Sequence, residues 1–345
     1  MSAMPRFCAI HFRQPVVREV ARIVQWYADT IYGCIEGPGC RPFFSDPMRV
    51  GPFAVDLAAL NARDNEALFS LLVLMGLYQS RRDVDIMRIQ RTMRPRTAER
   101  LTSTARLSRL ITDARCERLR TAQTFDSGCD VHRDLVRGVA ACEYRPRTAC
   151  HVKDATLAIG RMGDMGMLPT SALLHIGPLG LQRWVDDACA ATPSPVERAA
   201  QLVARLSMIR RIGRKLATMY VSALSVPELS PGFAPWYPDI DGSRLVVVDA
   251  NVARVVAHLR HGFGAKTYDH TATWLSGVAD QIDLRSFGRE WPARSPRLVQ
   301  QALYVFGSRS NRVTRHDVCA KQRCGRCPSS ACPFAGVRPV ESRRL

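Results

Sequence analysis

RRIGRKLATMYVSALS, residues 210–225, decides how this chain is read. Gly213 sits among arginines, and the residues after it are apolar at helical spacing, with Lys215 in the first turn. Just upstream, VERAAQLVARLSMI (196–209) repeats that spacing and ends where the arginines begin. The pattern predicts two helices, about 195–208 and 213–225, joined by a tight turn. Such a helix-hairpin-helix offers turn N–H groups to an anion and touches a nucleic-acid phosphate without reading sequence. Lys215 stands out in this setting. The chain holds 49 lysines and arginines together, and only Lys153, Lys215, Lys266 and Lys321 are lysine.

The rest of the composition points the same way. Over 345 residues the formal net charge is +18, a field that attracts polyanions such as nucleic acid or an anionic membrane rather than a small neutral metabolite. Arginine also forks onto phosphate with two parallel hydrogen bonds. The most apolar run, LFSLLVLMGLY (68–78), is too short to span a bilayer and reads as a buried helix. The N-terminus, MSAMPRFCAIHFRQP, lacks the apolar core of a signal peptide. Twelve cysteines without a secretory signal argue for reduced thiols and metal ligands rather than a disulfide framework, hence an expected cytoplasmic location.

Helical periodicity dominates. It predicts helices over about 16–33, 54–78, 83–92, 96–114, 132–141, 153–164, 169–175, 178–190, 195–208, 213–225, 251–260, 269–280 and 295–307. RLVVVD (244–249) is the best strand-like piece, and the fold class is all-α. SVPELSPGFAPWYPDIDGS (225–243) reads as a long loop, and 116–152 has cysteines and histidines with little periodicity.

Two further features carry chemistry. In LVVVDANVARVVAHLR (245–260), Asp249 stands just before an amphipathic helix, where an N-cap accepts from free N–H groups. Near the C-terminus, Cys319-x4-Cys324-x2-Cys327-x4-Cys332 puts four thiols within fourteen residues, which suits a four-thiolate zinc site or a [4Fe–4S] cluster. A looser set, Cys129, His132, Cys142 and Cys150, offers a zinc ligand set, with His151 and Cys116 as competitors. The other reading of that set is an insertion with buried free thiols.

In combination, GRKLA, then VVDANVARV, then the four-cysteine loop resemble the helix-hairpin-helix DNA glycosylases of the endonuclease III type. Where that family reads L-P-G-V-G-R-K-T-A, this chain runs from Ile209 through Arg210, Arg211, Ile212, Gly213, Arg214 and Lys215 to Ala217. Where the family reads V-D-T-H-hydrophobic-x-R-V, it runs from Val248 to Val255. The segment 67–87 resembles the family's early helix, which ends in an L-L-S-A-Q-A-T-D-like turn. Arg211 replaces the first hairpin glycine, Arg210 the proline and Asn251 the histidine after the aspartate.

The resemblance implies that Lys215 is a Schiff-base lysine and Asp249 a catalytic aspartate. A neutral amine attacks the anomeric carbon and the resulting imine permits β-elimination, while a carboxylate stabilises the positive sugar. Arginine stays protonated and forms no imine, which accounts for a lysine at 215. Gln79 would fill the gap left by a flipped base, and Asp83 is the nearest carboxylate for a base pocket. Arg210, Arg211, Ile212, Gly213 and Arg214 would meet the DNA backbone, joined by Arg323 and Arg326 of the cysteine loop. The cluster implied is a structural [4Fe–4S] group on Cys319, Cys324, Cys327 and Cys332. The expected organisation is a segment 1–58 that packs with the cluster domain, a helical barrel over 59–225 with an insert at about 115–170, and a C-terminal helical domain over 226–345. The expected protein is a monomer that excises a damaged or modified base from double-stranded DNA, with AP-lyase activity and no membrane contact. The alternatives are a monofunctional glycosylase in which Asp249 guides water, and a DNA-binding protein that has lost the chemistry.

Overall fold

A computed structural model describes residues 14–33, 40–79, 81–134, 138–142, 150–160, 163–230, 232–260, 267–287 and 290–308. Their regular secondary structure is helical apart from one short hairpin, so the all-α class stands. In chain order the helices are α1 (Gln14–Thr30), α2 (Pro47–Val50), α3 (Leu57–Asn61), α4 (Asn65–Gly76), α5 (Asp83–Thr92), α6 (Pro95–Thr102), α7 (Thr104–Asp113), α8 (Ala122–Gly128), α9 (His151–Ala158), α10 (Leu168–Ile176), α11 (Leu181–Cys189), α12 (Pro195–Leu206), α13 (Arg214–Ser225), α14 (Ala250–Leu259), α15 (Tyr268–Ala279) and α16 (Pro296–Gly307). Among them no helix is long and apolar enough to cross a membrane.

The chain divides into two compact units. One comprises residues 35–245, the other 1–34 with 246–345. Residues 35–58 and 226–245 therefore go with the central unit, in place of the expected boundaries at 58 and 225. The reason is packing. Phe44 meets Phe233 in a tilted pair at 5.5 Å, and Phe43 meets Tyr78 edge-on at 5.4 Å. Trp236, from the long loop, is buried against Tyr220 with its indole N–H donating to Gln182 Oε1 at 3.1 Å. That aromatic serves the core, while Tyr237 beside it is exposed.

The central unit is wound around α4. Most of its length is apolar and buried all round, as expected of a core helix rather than a surface one. It packs on α6, α10, α11 and α13. The helix expected over 54–78 is broken because Arg63 takes a positive φ of 56° and Asp64 caps a new start, its carboxylate accepting from Ala67 N. That over 96–114 is broken at Ser103, which caps α7 in the same way.

The helix expected over 132–141 is instead an antiparallel pair, β1 (His132–Asp134) with β2 (Val139–Ala141), where His132 faces Ala141. Gly138, at φ 66°, is incompatible with a continuous right-handed helix. The cysteine-rich stretch also contains α8, started by a reciprocal cap between Thr121 and Thr124.

In the second unit α1, α14 and α15 gather around α16. Trp26 meets Phe306 edge-on at 5.5 Å, and Trp291 lies against both Tyr27 and Tyr32. RLVVVD forms no strand. Val246 and Val247 are buried, and the Val247 N–H donates to Gln300 Oε1 at 3.3 Å.

Candidate nucleic-acid interface

The hairpin joins α12 to α13. Ser194 and Pro195 start α12, the Ser194 hydroxyl accepting from Glu197 N at 3.4 Å. Ile209 and Ile212 drop into the core, and the Ile212 N–H donates to Ile209 O at 2.9 Å. Gly213 then caps α13 without a side chain to accept from the first-turn N–H groups. Among the described residues no side chain thus caps the positive end of this helix dipole, the kind of terminus that favours an anion. A Cβ built on Gly213 meets no described atom within 4 Å, so among the described residues this side of the turn is open.

The expected DNA contacts separate into two groups. Arg211, Gly213 and Arg214 are exposed. Ile212 faces inward at 1% exposure with its N–H used by the turn, so it seats the hairpin rather than meeting a ligand. Arg210 also turns inward: its N–H donates to Ser171 Oγ at 3.0 Å and its guanidinium to the Asp126 carbonyl.

Gln79 and Lys215 meet this turn. The Gln79 side-chain amide donates to Gly76 O at 2.6 Å and to Arg211 O at 2.8 Å. Lys215 is half-buried, and its Nζ donates to Tyr78 O at 3.2 Å. Tyr78 itself is held by Gln90, whose amide donates to Leu74 O at 3.0 Å. Burial pushes the Tyr78 phenol well above its ordinary range, the Asp83 charge adds to this, and Arg49 opposes it. Asp83 opens α5. A groove beside it is lined by Arg81, Asp85, Arg88, Ile89 and the end of α9.

Asp249 belongs to the other unit. Its Oδ1 accepts from Val252 N at 2.8 Å and its Oδ2 from Asn251 Nδ2 at 3.3 Å. Arg254 donates to Asn251 Oδ1 at 3.2 Å and to Gly307 O at 2.5 Å. The carboxylate is thus fixed by its own helix start and, through Asn251, by α16. α16 can approach so closely because residue 307 is glycine, where a Cβ would meet Val255 at 2.8 Å.

The cysteine loop, with Cys319, Cys324, Cys327, Cys332, Arg323 and Arg326, lies outside the described residues. In the insert, Cys129 is buried beside Leu119, Phe125, Val131, Val152 and Met167, with Cys116, Cys142 and Cys150 packed around them. Burial pushes the Cys129 thiol up to about 11. Cys142 donates to Asp130 Oδ1 at 3.1 Å. Among the described residues no three His, Cys, Asp or Glu side chains are placed to hold a metal ion, and the His132 side chain lies outside them. His151 bonds to Thr170 Oγ1 through Nε2 at 3.1 Å, while its Nδ1 is buried without a described partner.

The sequence reading missed Asp126, Ser171 and His175. Ser171 donates to Asp126 Oδ1 at 2.8 Å, and His175 Nε2 lies 2.7 Å from Asp126 Oδ2. No spacing motif marks them. The only hint is a serine in the apolar run of α10. Compared with protein-family models, with curated proteins and with solved structures, the chain matches none.

Proposed function

We propose that the chain is a base-excision DNA glycosylase on a two-lobed helix-hairpin-helix scaffold, with AP-lyase activity carried by Lys215. One observation carries the reading. Hydrogen bonds spanning 132 and 137 residues draw Gln79, the hairpin turn and Lys215 to one corner, the three parts to which the resemblance gives separate roles in a single reaction. A duplex phosphate would seat on the exposed edge of Arg211, Gly213 and Arg214, with steep salt dependence from counterion release. Gln79, at the same edge, would take the place of an extruded nucleotide.

In the chemical step deprotonated Nζ of Lys215 attacks C1′. The N–C1′ bond forms as the glycosidic bond breaks, and the base leaves with the electron pair and picks up a proton. After ring opening to the imine, loss of a C2′ proton expels the 3′ phosphate. Asp249 is assigned the stabilisation of positive charge on the sugar. The four-cysteine loop is assigned a structural [4Fe–4S] group that takes no step in the chemistry, and the insert thiols pack as small hydrophobes.

A second reading rests on the bond from Nζ to Tyr78 O, which employs Lys215 as a donor. There Lys215 only offsets phosphate charge, and Asp249 guides a water. Borohydride trapping on a duplex with an abasic site separates the two. The first reading expects a covalent adduct with wild type and none with Lys215→Ala. Base release by Lys215→Ala without an adduct from either protein supports the second. No base release from any modified duplex, with duplex still bound, leaves a DNA-binding protein that lacks the chemistry.

A further inference from the structure

Arg211 adopts φ 67°, the left-handed region that favours glycine. For any residue with a Cβ this conformation is disfavoured by contact with the following carbonyl, and it persists only where neighbours fix it. The neighbours here are specific. On one side the Arg210 N–H is held by Ser171 Oγ at 3.0 Å. Ser171 is fully buried, and its own hydroxyl proton goes to Asp126 Oδ1 at 2.8 Å. The carboxylate therefore polarises the hydroxyl that accepts from the hairpin. Asp126 is itself held by His175, one turn along α10 from Ser171, and its backbone carbonyl accepts from the Arg210 guanidinium. On the other side Gln79 holds Arg211 O at 2.8 Å. With Ile212 N–H closed onto Ile209 O, the peptide groups around residue 211 are fastened to fixed partners on both sides.

We propose that Asp126 and Ser171 are positioning residues that hold Arg211 left-handed, so that an arginine can occupy a turn position whose backbone asks for glycine. The insert then has a mechanical role, with α8 bracing the hairpin from behind. The gain is an extra cation on the exposed edge. The brace does not depend on the DNA reading, but its benefit to binding does.

A mutant cycle tests it. Ser171→Ala is made in the natural chain and in Arg211→Gly, and binding to a duplex with a reduced abasic site is followed by fluorescence anisotropy. Each comparison keeps charge constant. In the natural chain Ser171→Ala weakens binding roughly five- to tenfold, the effect of one hydrogen bond lost from a buried network. In the Arg211→Gly background it costs less than about twofold, because glycine reaches positive φ without help. Hydrogen exchange over residues 207–216 is read on the same proteins without DNA. It quickens with Ser171→Ala in the natural chain and stays level in the glycine background. Asp126→Asn, which still accepts from Ser171, stays nearer wild type than Asp126→Ala. Equal losses in both backgrounds, or no change of exchange with Ser171→Ala, overturn the brace. If no variant binds duplex while the exchange cycle behaves as stated, the brace stands and the DNA reading fails.

Discussion

Lys215 and Asp249 each stand at the start of a helix, α13 and α14, yet the chain secures them differently. The Asp249 carboxylate is satisfied within three residues, by Val252 N and Asn251 Nδ2. The Lys215 amine finds its acceptor 137 residues earlier, at Tyr78 O. The helix starts differ to match. α14 is closed by its own carboxylate, whereas α13 begins at Gly213 with no side-chain cap. A helix N-terminus already filled by a carboxylate has little to offer a phosphate, while one left open beside arginines has much. Capping alone thus separates the two ends: α14 is closed by its own carboxylate, and α13 is the one that the proposed function assigns to an anion.

The largest expected effect breaks the comparison if Asp249 is only a cap. Asparagine caps helices about as well as aspartate. Asp249→Asn therefore leaves the melting temperature close to wild type, while loss of the charge lowers single-turnover base excision by about 10²–10³ or more. Asp249→Ala loses the cap as well and costs a further ~1 kcal/mol of stability. A variant Asp249→Asn with wild-type excision would reduce this residue to its capping role.

Acid probes the insert. Burial pushes His151 down to about 4 from its ordinary 6.5, with Asp154 opposing, and Arg100 and Asp113 line the same cavity. The folded imidazole refuses a proton that the unfolded chain accepts between those values. Stability from the neutral ring is therefore full above about pH 6.5 and lost as pH falls toward 4, on the order of 3 kcal/mol. Urea denaturation at stepped pH should show this acid limb, and His151→Gln should flatten it. An unchanged limb would move the proton uptake elsewhere.

The same contrast of range explains what could be read in advance. α5 matches its sequence-derived bounds of 83–92, and α12 and α13 fall within two residues of theirs, because apolar period and start signals are local. The Asp249 cap was legible for that reason. The left-handed Arg211 was marked only by the family glycine it replaces, since arginine itself carries no signal for positive φ. The brace was not legible: Asp126 and Arg210 lie 45 and 39 residues from Ser171 along the chain. HRDLVRGVAA (132–141) imitated a helix because Val136, Val139 and Ala140 fall at helical spacing. α8 escaped because its reciprocal cap uses threonine where glutamate or glutamine is the usual mark. Gln79 was placed by resemblance to a family turn, but its bonds to the hairpin are tertiary and no local pattern encodes them.

The smallest stability effect gives the finest test of the open end. Gly213 has φ −83° and ψ 171°, a conformation open to any residue, and an added Cβ meets no described atom within 4 Å. Folding therefore has little use for glycine here. Gly213→Ala should cost only about 0.5 kcal/mol, the difference between glycine and alanine at an N-cap. A phosphate approaching the first-turn N–H groups would meet the new methyl directly. Duplex affinity should therefore fall several-fold more than stability alone accounts for. The salt dependence should keep its slope, because no cation has been removed. Anisotropy titrations at several salt concentrations, beside a thermal melt, separate these outcomes. A parallel loss of affinity and stability would mean that the glycine serves the fold, and unchanged affinity would mean that phosphate does not approach the hairpin from this side.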